Sequence, residues 1–324
     1  MKQITILGAG AWGTALATLL SHNGHKAVLW CHEQEIADEI TKNHTNELFL
    51  PTIVLDKSIT ATSSLAQACL GSQWIFEAVP VQFLRSVLVA AVPFITKDQK
   101  FLLLSKGLEQ ETSYLPTQIL VDSLGATYNY AVLVGPSFAM DLARRQLTGV
   151  VVASELAQGA DELKMLLESD FFHIALSKDV VGVQLCGALK NVVTFGVGVL
   201  DGAGYTDNTK AFFFVKALEQ MKILVVACQG QAATVDGLAG IGDLVLTAFG
   251  KRSRNLLVGQ RMGGGESMRA IQESLESVPE CFNSVVAVQQ LITTKKLSLP
   301  IFEGLHEVMK GSKSVTSFAS LIKY

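Results

Sequence analysis

Paired cysteines are missing from this chain. Its five cysteines (Cys31, Cys69, Cys186, Cys228 and Cys281) are odd in number, scattered, and never spaced C-x-x-C. That excludes a disulfide framework and a cysteine-rich zinc site, and it is the pattern of reduced thiols in a cytoplasmic protein. Six histidines supply no H-E-x-x-H. His22 and His25 flank Asn23-Gly24, which reads as a helix end and turn, so no metal is expected there or elsewhere. Charge is scarce too. Only 17% of residues are charged, the formal net charge is −3 and the pI is near 6.1, which leaves no footprint for nucleic acid or an anionic membrane. Apolar runs such as VLVAAVPFI fall short of the ~18–20 residues of a membrane span. The opening MKQITILGAGAWGTALATLL has a lysine followed by apolar residues, but no convincing A-x-A cleavage site follows and a signal peptide is not expected. Internal repeats and low-complexity segments are absent.

What remains is a well-cored chain of 324 residues, 49% hydrophobic, long enough for about two domains at ~100–200 residues each. Up to about residue 175, β-branched runs alternate with amphipathic stretches. ITIL (4–7), AVLW (27–30), WIFEAV (74–79), FLLLS (101–105), YAVLV (130–134) and GVVVA (149–153) read as strands. SLAQACL, VQFLRSVLVAAV and ELAQGADELKMLLE read as helices between them. Such alternation predicts an α/β fold, a doubly wound and mostly parallel sheet of Rossmann type. Beyond about residue 180 helical stretches dominate (179–200, 208–229, 243–249, 253–262, 267–276, 282–293 and 301–309), punctuated by glycine clusters and prolines. The expected division is 1–178, a dinucleotide-binding domain, and 179–324, an all-helical substrate domain.

Gly8-Ala9-Gly10-Ala11-Trp12-Gly13 is a G-x-G-x-x-G between a strand and a helix. The first glycine permits the tight turn, the second lets backbone approach a pyrophosphate, and the third lets helix and strand pack closely. Phosphates would sit at the helix N-terminus. An NAD-selective site places Asp or Glu at the end of the second strand for the ribose 2′-hydroxyl. Here AVLW is followed by Cys31 and His32, with Glu33 later. This pattern favours NADP, or use of both cofactors, with His32 donating to the 2′-phosphate; His32 as a plain loop residue is the other reading.

Polar groups stand in unusual places further on. CGALKNVVTFGVG carries one charge, Lys190, beside Asn191 in an otherwise small and apolar run. Either the ammonium snorkels to solvent or it is buried with a purpose. LLLSKGLE puts Lys106 just after a strand, on the carboxyl edge where open α/β sheets bind ligands, and VGPSFA puts a Gly-Pro-Ser loop after the next strand. GLAGIGDLVLTAFGKRSRN carries Asp243, Thr247 one turn on, then Ser253, Arg254 and Asn255. Taken singly, Lys106 reads equally as a surface lysine, Asp243 and Ser253 as helix N-caps, and Arg254 as part of a solvated face.

Together these blocks resemble the soluble, NAD(P)-dependent sn-glycerol-3-phosphate dehydrogenases of bacterial type over essentially the whole chain. The matching segments are GAGAWGTALA (8–17), LSKGLE (104–109), VGPSFA (134–139), GALKNVV (187–193), DNTKA (207–211), GLAGIGDLVLT (237–247), SRN (253–255) and VPE (278–280). The resemblance implies that Lys190 is the acid/base residue in the interconversion of dihydroxyacetone phosphate and sn-glycerol 3-phosphate. A lysine among apolar residues and near a second cation, with Lys106 as the obvious one, would have its pKa depressed toward working pH. It further implies that Lys106 contacts cofactor and substrate, and that Asp243 positions the lysines, with Asn191 and Thr247 as supporting groups. Arg254 would clamp the substrate phosphate through its planar fork, also touching the cofactor, with Ser253 and Asn255 beside it. Gly135 and Ser137 fall in the substrate loop, and Gly8, Gly10, Ala11, Trp12, Gly13, Ala139, Val278 and Glu280 at cofactor positions. NADP(H) or NAD(H) is the implied cofactor, a homodimer the implied assembly, and phospholipid synthesis in the cytoplasm the implied destination of the product.

The chain departs from the family's usual pattern at Ala11 (commonly serine), Thr194 (alanine), Lys216 (arginine) and Cys281 (glycine). None of these removes a proposed catalytic group, but Ala11 and Cys281 bear on how the cofactor is gripped. Two other functions fit parts of the pattern. A related two-domain β-hydroxyacid or ketoacid reductase would use Arg254 on a carboxylate. A catalytically silent dinucleotide sensor would share the fold but has no need of Lys106, Lys190, Asp243 and Arg254 together.

Overall fold

The computed structural model describes residues 2–125, 128–250, 253–275 and 279–323. The chain divides into two compact units, Met1–Lys106 with Pro116–Val180, and Gly107–Leu115 with Val181–Tyr324. The segment Gly107–Leu115 leaves the first unit just after a strand and packs with the second, where the Ser113 hydroxyl donates to the Ala287 carbonyl at 3.2 Å.

The first unit is built on eight strands: β1 (Gln3–Leu7), β2 (Lys26–Trp30), β3 (Ile59–Thr62), β4 (Trp74–Glu77), β5 (Lys100–Leu103), β6 (Tyr130–Val134), β7 (Thr148–Ala153) and β8 (Phe172–Ser177). Their spatial order is β3-β2-β1-β4-β5-β6-β7-β8, and every pairing is parallel except β6 with β7. The order reverses between β1 and β4, so the crevice outside their carboxyl ends is the switch point where such sheets bind ligands. The interior strands are apolar on both faces, with Ile4, Ile6, Phe76 and Leu102 on one and Leu7, Ile75, Phe101 and Leu103 on the other, as strands covered by helices on both sides must be. Two strands, β3 and β8, stand beyond the six legible in the sequence. They are the two edges of the sheet.

The second unit is helical. Its central element is the helix Val180–Gly202, which buries Phe195, Val199 and Leu200 completely and carries Lys190 and Asn191 half-way along. Lys190 and Asn191 interrupt the apolar run in the sequence but not the helix. By length and composition this helix and the segment Ala232–Phe249 would each suffice to cross a membrane, contrary to the expectation from run length. The former is instead a core helix, with 94% of its apolar window buried. Its glycines let another helix, Arg254–Gly263, lie against it at backbone distance. A Cβ on Gly198 would come within 2.3 Å of the Leu256 carbonyl, and one on Gly259 within 2.2 Å of the Phe195 carbonyl. Helix Asp207–Ala227, helix Pro300–Met309 and a closing helix, Val315–Leu321, complete the packing, with Phe213 against Phe318 edge-on.

Candidate active site

In the first unit the glycine-rich turn follows β1. Gly8 has φ +112°, a conformation that strains an L side chain, and a Cβ there would meet the Ala78 carbonyl at 2.7 Å. Gly13 lies against the turn from the other side, where a Cβ would come within 2.0 Å of the Gly8 carbonyl. Gly10 faces open space, and it precedes helix Ala11–His22 with no side-chain cap. The first-turn N–H groups of that helix therefore point at room for an anion. The Trp12 indole nitrogen is buried with no hydrogen-bond partner. A tight turn, a gap at its second glycine and uncommitted donors fit a dinucleotide pyrophosphate. At position 11 the chain offers only backbone, since Ala11 has no hydroxyl.

Sequence reasoning missed Asn46 here. Its amide donates to the Ala9 carbonyl at 2.9 Å and to the Thr14 hydroxyl at 2.8 Å, bracing the turn from within the core. Nothing in the loop sequence around it marked it, because its partners lie more than thirty residues away. His32 is exposed just beyond β2 and edge-on to Trp30; no carboxylate directly ends this strand.

The carboxyl ends of β5 and β6 bring together two more expected groups. The Lys106 ammonium donates to the Gly135 carbonyl at 3.2 Å, and the Ser137 hydroxyl to the same oxygen at 2.9 Å. Gly135 is fixed by close approach to Val150, whose Cα a Cβ would meet at 2.7 Å. Ala139 opens the short helix Ala139–Ala143. Glu77, which closes β4, is a second group the sequence reasoning passed over. It is fully buried, although a lone charge within WIFEAV is the same signal that singled out Lys190.

In the second unit the snorkelling reading of Lys190 fails. Its side chain is 10% exposed and its ammonium lies 2.8 Å from the Asp243 carboxylate, itself 2% exposed. The Thr247 hydroxyl is 3.4 Å from the same nitrogen and donates to the Asp243 carbonyl at 2.6 Å. Within this unit the ammonium thus has an anionic partner in Asp243. A buried charge left unpaired is expensive, and a hydrogen-bonded carboxylate compensates it. Asp243 is not a cap: it is the first residue of helix Asp243–Phe249, and the π-turn Leu238–Gly242 before it aims the carboxylate inward.

Beside the pair runs a chain of amides. The Asn191 amide donates to Glu280 at 3.0 Å, the Asn255 amide donates to the Asn191 carbonyl oxygen at 2.9 Å, and the Cys281 N–H donates to Asn255 at 3.1 Å. These link three helices at positions that the sequence had marked separately. Ser253 is the N-cap of helix Arg254–Gly263, accepting from the Leu256 N–H at 3.3 Å. Arg254 is exposed on the first turn of that helix. A permanent cation at a helix N-terminus is a strong setting for a phosphate. Val278 lies outside the described residues.

A nucleotide turn in a mostly parallel sheet, joined to a helical unit that buries a lysine–aspartate pair, is the build of the two-domain nicotinamide-dependent dehydrogenases. The family is settled by both halves of the chain. The family model for the NAD-dependent glycerol-3-phosphate dehydrogenase N-terminus matches residues 3–160, and the model for its C-terminus matches residues 179–320. This chain belongs to that family. Glycerol-3-phosphate dehydrogenase (NAD(P)+) of Bacillus velezensis is 35% identical over 99% of the chain and 94% of its own length. The Bacillus pumilus enzyme of the same name is 37% identical over 97% and 92%. The crystal structure of the glycerol-3-phosphate dehydrogenase from Coxiella burnetii superposes with a TM-score of 0.93 at 30% identity, covering 98% of each chain. A match across both halves favours this family over the ketoacid-reductase and sensor readings.

Proposed function

We propose that the chain interconverts dihydroxyacetone phosphate and sn-glycerol 3-phosphate with NADPH or NADH as hydride donor. The observation that carries this reading is the buried Lys190–Asp243 pair, an ammonium held as a proton donor by a neighbour that cannot leave it. When bound, the reduced nicotinamide supplies the hydride for the substrate's carbonyl carbon. The Gly8–Gly13 turn would hold the pyrophosphate, with Trp12 beside it, and Ala139, Val278 and Glu280 would complete the cofactor's surroundings. As charge develops on the carbonyl oxygen, a Lys190 N–H donates its proton there, leaving a hydroxyl on the product and a neutral amine to be reprotonated from solvent. Asp243 fixes the ammonium's direction before transfer, and Thr247 narrows its freedom further. Asn191 is held by Asn255 and Glu280, so it presents a fixed amide to the substrate hydroxyl. Arg254, the N-terminus of its helix and the remaining Asn255 donor receive the phosphate, with Ser253 shaping that turn. Lys106, held with Ser137 on the Gly135 carbonyl, is read as the first unit's contribution to cofactor and substrate binding.

With no carboxylate directly ending β2, we read the ribose site as accepting a 2′-phosphate, with His32 as its donor. We further propose a cytoplasmic homodimer whose product feeds phospholipid synthesis. The test is oxidation of NADPH and NADH in parallel with dihydroxyacetone phosphate, for the wild type and Lys190→Met. Wild-type turnover with NADPH at least equal to that with NADH is expected, as is a fall in kcat of ~10²–10⁴ in the variant, the usual contribution of a positioned proton donor. NADPH binding by the variant should be nearly unchanged. Full activity of Lys190→Met would remove it from the mechanism.

A further inference from the structure

Glu77 is a fully buried acid that the mechanism leaves unused. It ends β4 with its Cα opposite Leu7 of β1 and Leu103 of β5, so it stands at the sheet's switch point. One carboxylate oxygen accepts from the Val79 N–H at 2.7 Å. The other accepts from the Ser105 N–H at 3.3 Å and, over a short distance, from the Ser105 hydroxyl. Each of these donors lies beside a group with a part in the reaction. The peptide joining Ala78 to Val79 is what a Cβ on Gly8 would strike, so its position sets the space for the first turn of the nucleotide loop. Ser105 immediately precedes Lys106, whose ammonium reaches the Gly135 carbonyl.

We propose that Glu77 is a positioning residue for cofactor binding, its carboxylate locking the Ala78–Val79 peptide behind the glycine-rich turn to the Ser105–Lys106 turn. An apolar residue suits a buried strand end better on burial grounds alone. A carboxylate there gains three donors from two loops, and an apolar side chain would leave the buried Val79 N–H unpaired and release the two part-buried Ser105 donors. The carboxylate is thus a direct tie between the two loops at the sheet edge. This deepens the proposed function, because it rests on the Gly8–Gly13 turn and Lys106 acting on the cofactor.

The experiment measures NADPH binding by fluorescence, without substrate, for wild type, Glu77→Val, Glu77→Gln, Ser105→Ala and the Glu77→Val/Ser105→Ala double variant. Glu77→Val should weaken binding by roughly 10–100-fold, the scale of lost hydrogen bonds to a charged acceptor. Its KM for NADPH should rise in step, while kcat at saturating cofactor falls by a smaller factor. Glutamine keeps an oxygen for Val79 and an amide that can donate to the Ser105 hydroxyl, losing only the long 3.3 Å bond from the Ser105 N–H, so Glu77→Gln should stay within about threefold of wild type. Ser105→Ala should weaken binding on its own but add nothing in the valine background, since coupled residues are not additive. Wild-type affinity in Glu77→Val, equal loss in valine and glutamine variants, or additive effects of Glu77→Val and Ser105→Ala would each overturn the proposal. If Glu77→Val does not fold, Ser105→Ala decides: unchanged affinity overturns it. Inactivity of the wild type on dihydroxyacetone phosphate would sink the proposed reaction while leaving this binding comparison intact.

Discussion

Lys190 and Glu77 are each the lone charge in an apolar run, and the structure treats them in opposite ways. Lys190 meets an opposite charge at 2.8 Å. Glu77 meets only hydrogen-bond donors, and burial pushes its carboxyl up to about 7 against the pull of the Ser105, Val79 and Leu104 hydrogen bonds. The consequence for stability has a definite sign. In the unfolded chain a glutamate ionises near pH 4.3. Between there and pH 7 the folded state binds the proton more tightly, so this group's stabilising contribution is full below about pH 4.3 and is lost as pH rises through 7. Glu77→Gln cannot titrate. Its stability relative to wild type should therefore rise by on the order of 3 kcal/mol between pH 4.5 and pH 8 and level off above. Urea denaturation of both proteins at the two pH values checks this. A constant gap would mean that the folded carboxyl titrates like an exposed one.

At the scale of elements, the amide chain of the site depends on two helices meeting through glycine. Gly198 and Gly202 on one helix face Gly259 and Gly263 on the other, each with a backbone oxygen within 2.3 Å of where its Cβ would stand. Because the obstacles are main-chain atoms, an added methyl can be accommodated only by moving a helix. Gly259→Ala should destabilise the chain by ~1–3 kcal/mol, the cost of overpacking. It should also lower kcat, because Asn255 lies in the first turn of the helix that shifts and its bond to Asn191 lengthens. Thermal melting and steady-state kinetics on the one variant check both. The i, i+4 glycines were visible in the sequence, but which helix they face was not, since the partners lie some sixty residues apart. The same limit explains the two missed strands. ITAT (59–62) buries only Ile59 and FHIALS (172–177) only Phe172 and Ile174, so neither edge strand shows the continuous apolar run that revealed the interior ones. The candidate site left a different kind of trace. Its groups lie in short local blocks, Gly8–Gly13, Ser253–Asn255 and Lys190–Asn191, whereas the pairing of Lys190 with Asp243 spans 53 residues and appears only on folding.

At the scale of the whole molecule, the helix Asp207–Ala227 has more apolar surface than one chain covers. It buries Phe213, Phe214, Ala217, Met221, Leu224 and Val225, yet Phe212, Val215, Ile223 and Val226 are each about half exposed. Those four positions fall within one narrow face at 3.6 residues per turn. A helix apolar on both faces is ordinarily covered on both, and a contiguous exposed apolar strip on a soluble protein marks an interaction surface. A second copy of the same chain is the occupant we infer. A helix packed antiparallel on its own copy about a two-fold axis repeats its contacts in pairs. Glu219 falls on this same face, one turn from Val215 and one from Ile223, where its carboxylate is already paired with Lys216 at 2.6 Å. Light scattering on the eluting protein should give twice the 34.8 kDa of one chain, and Ile223→Glu should bring it to the single-chain mass. That substitution lies outside the core, so the monomer should keep a cooperative melting transition. A wild type that stays monomeric at micromolar concentration would show that this face has some other occupant.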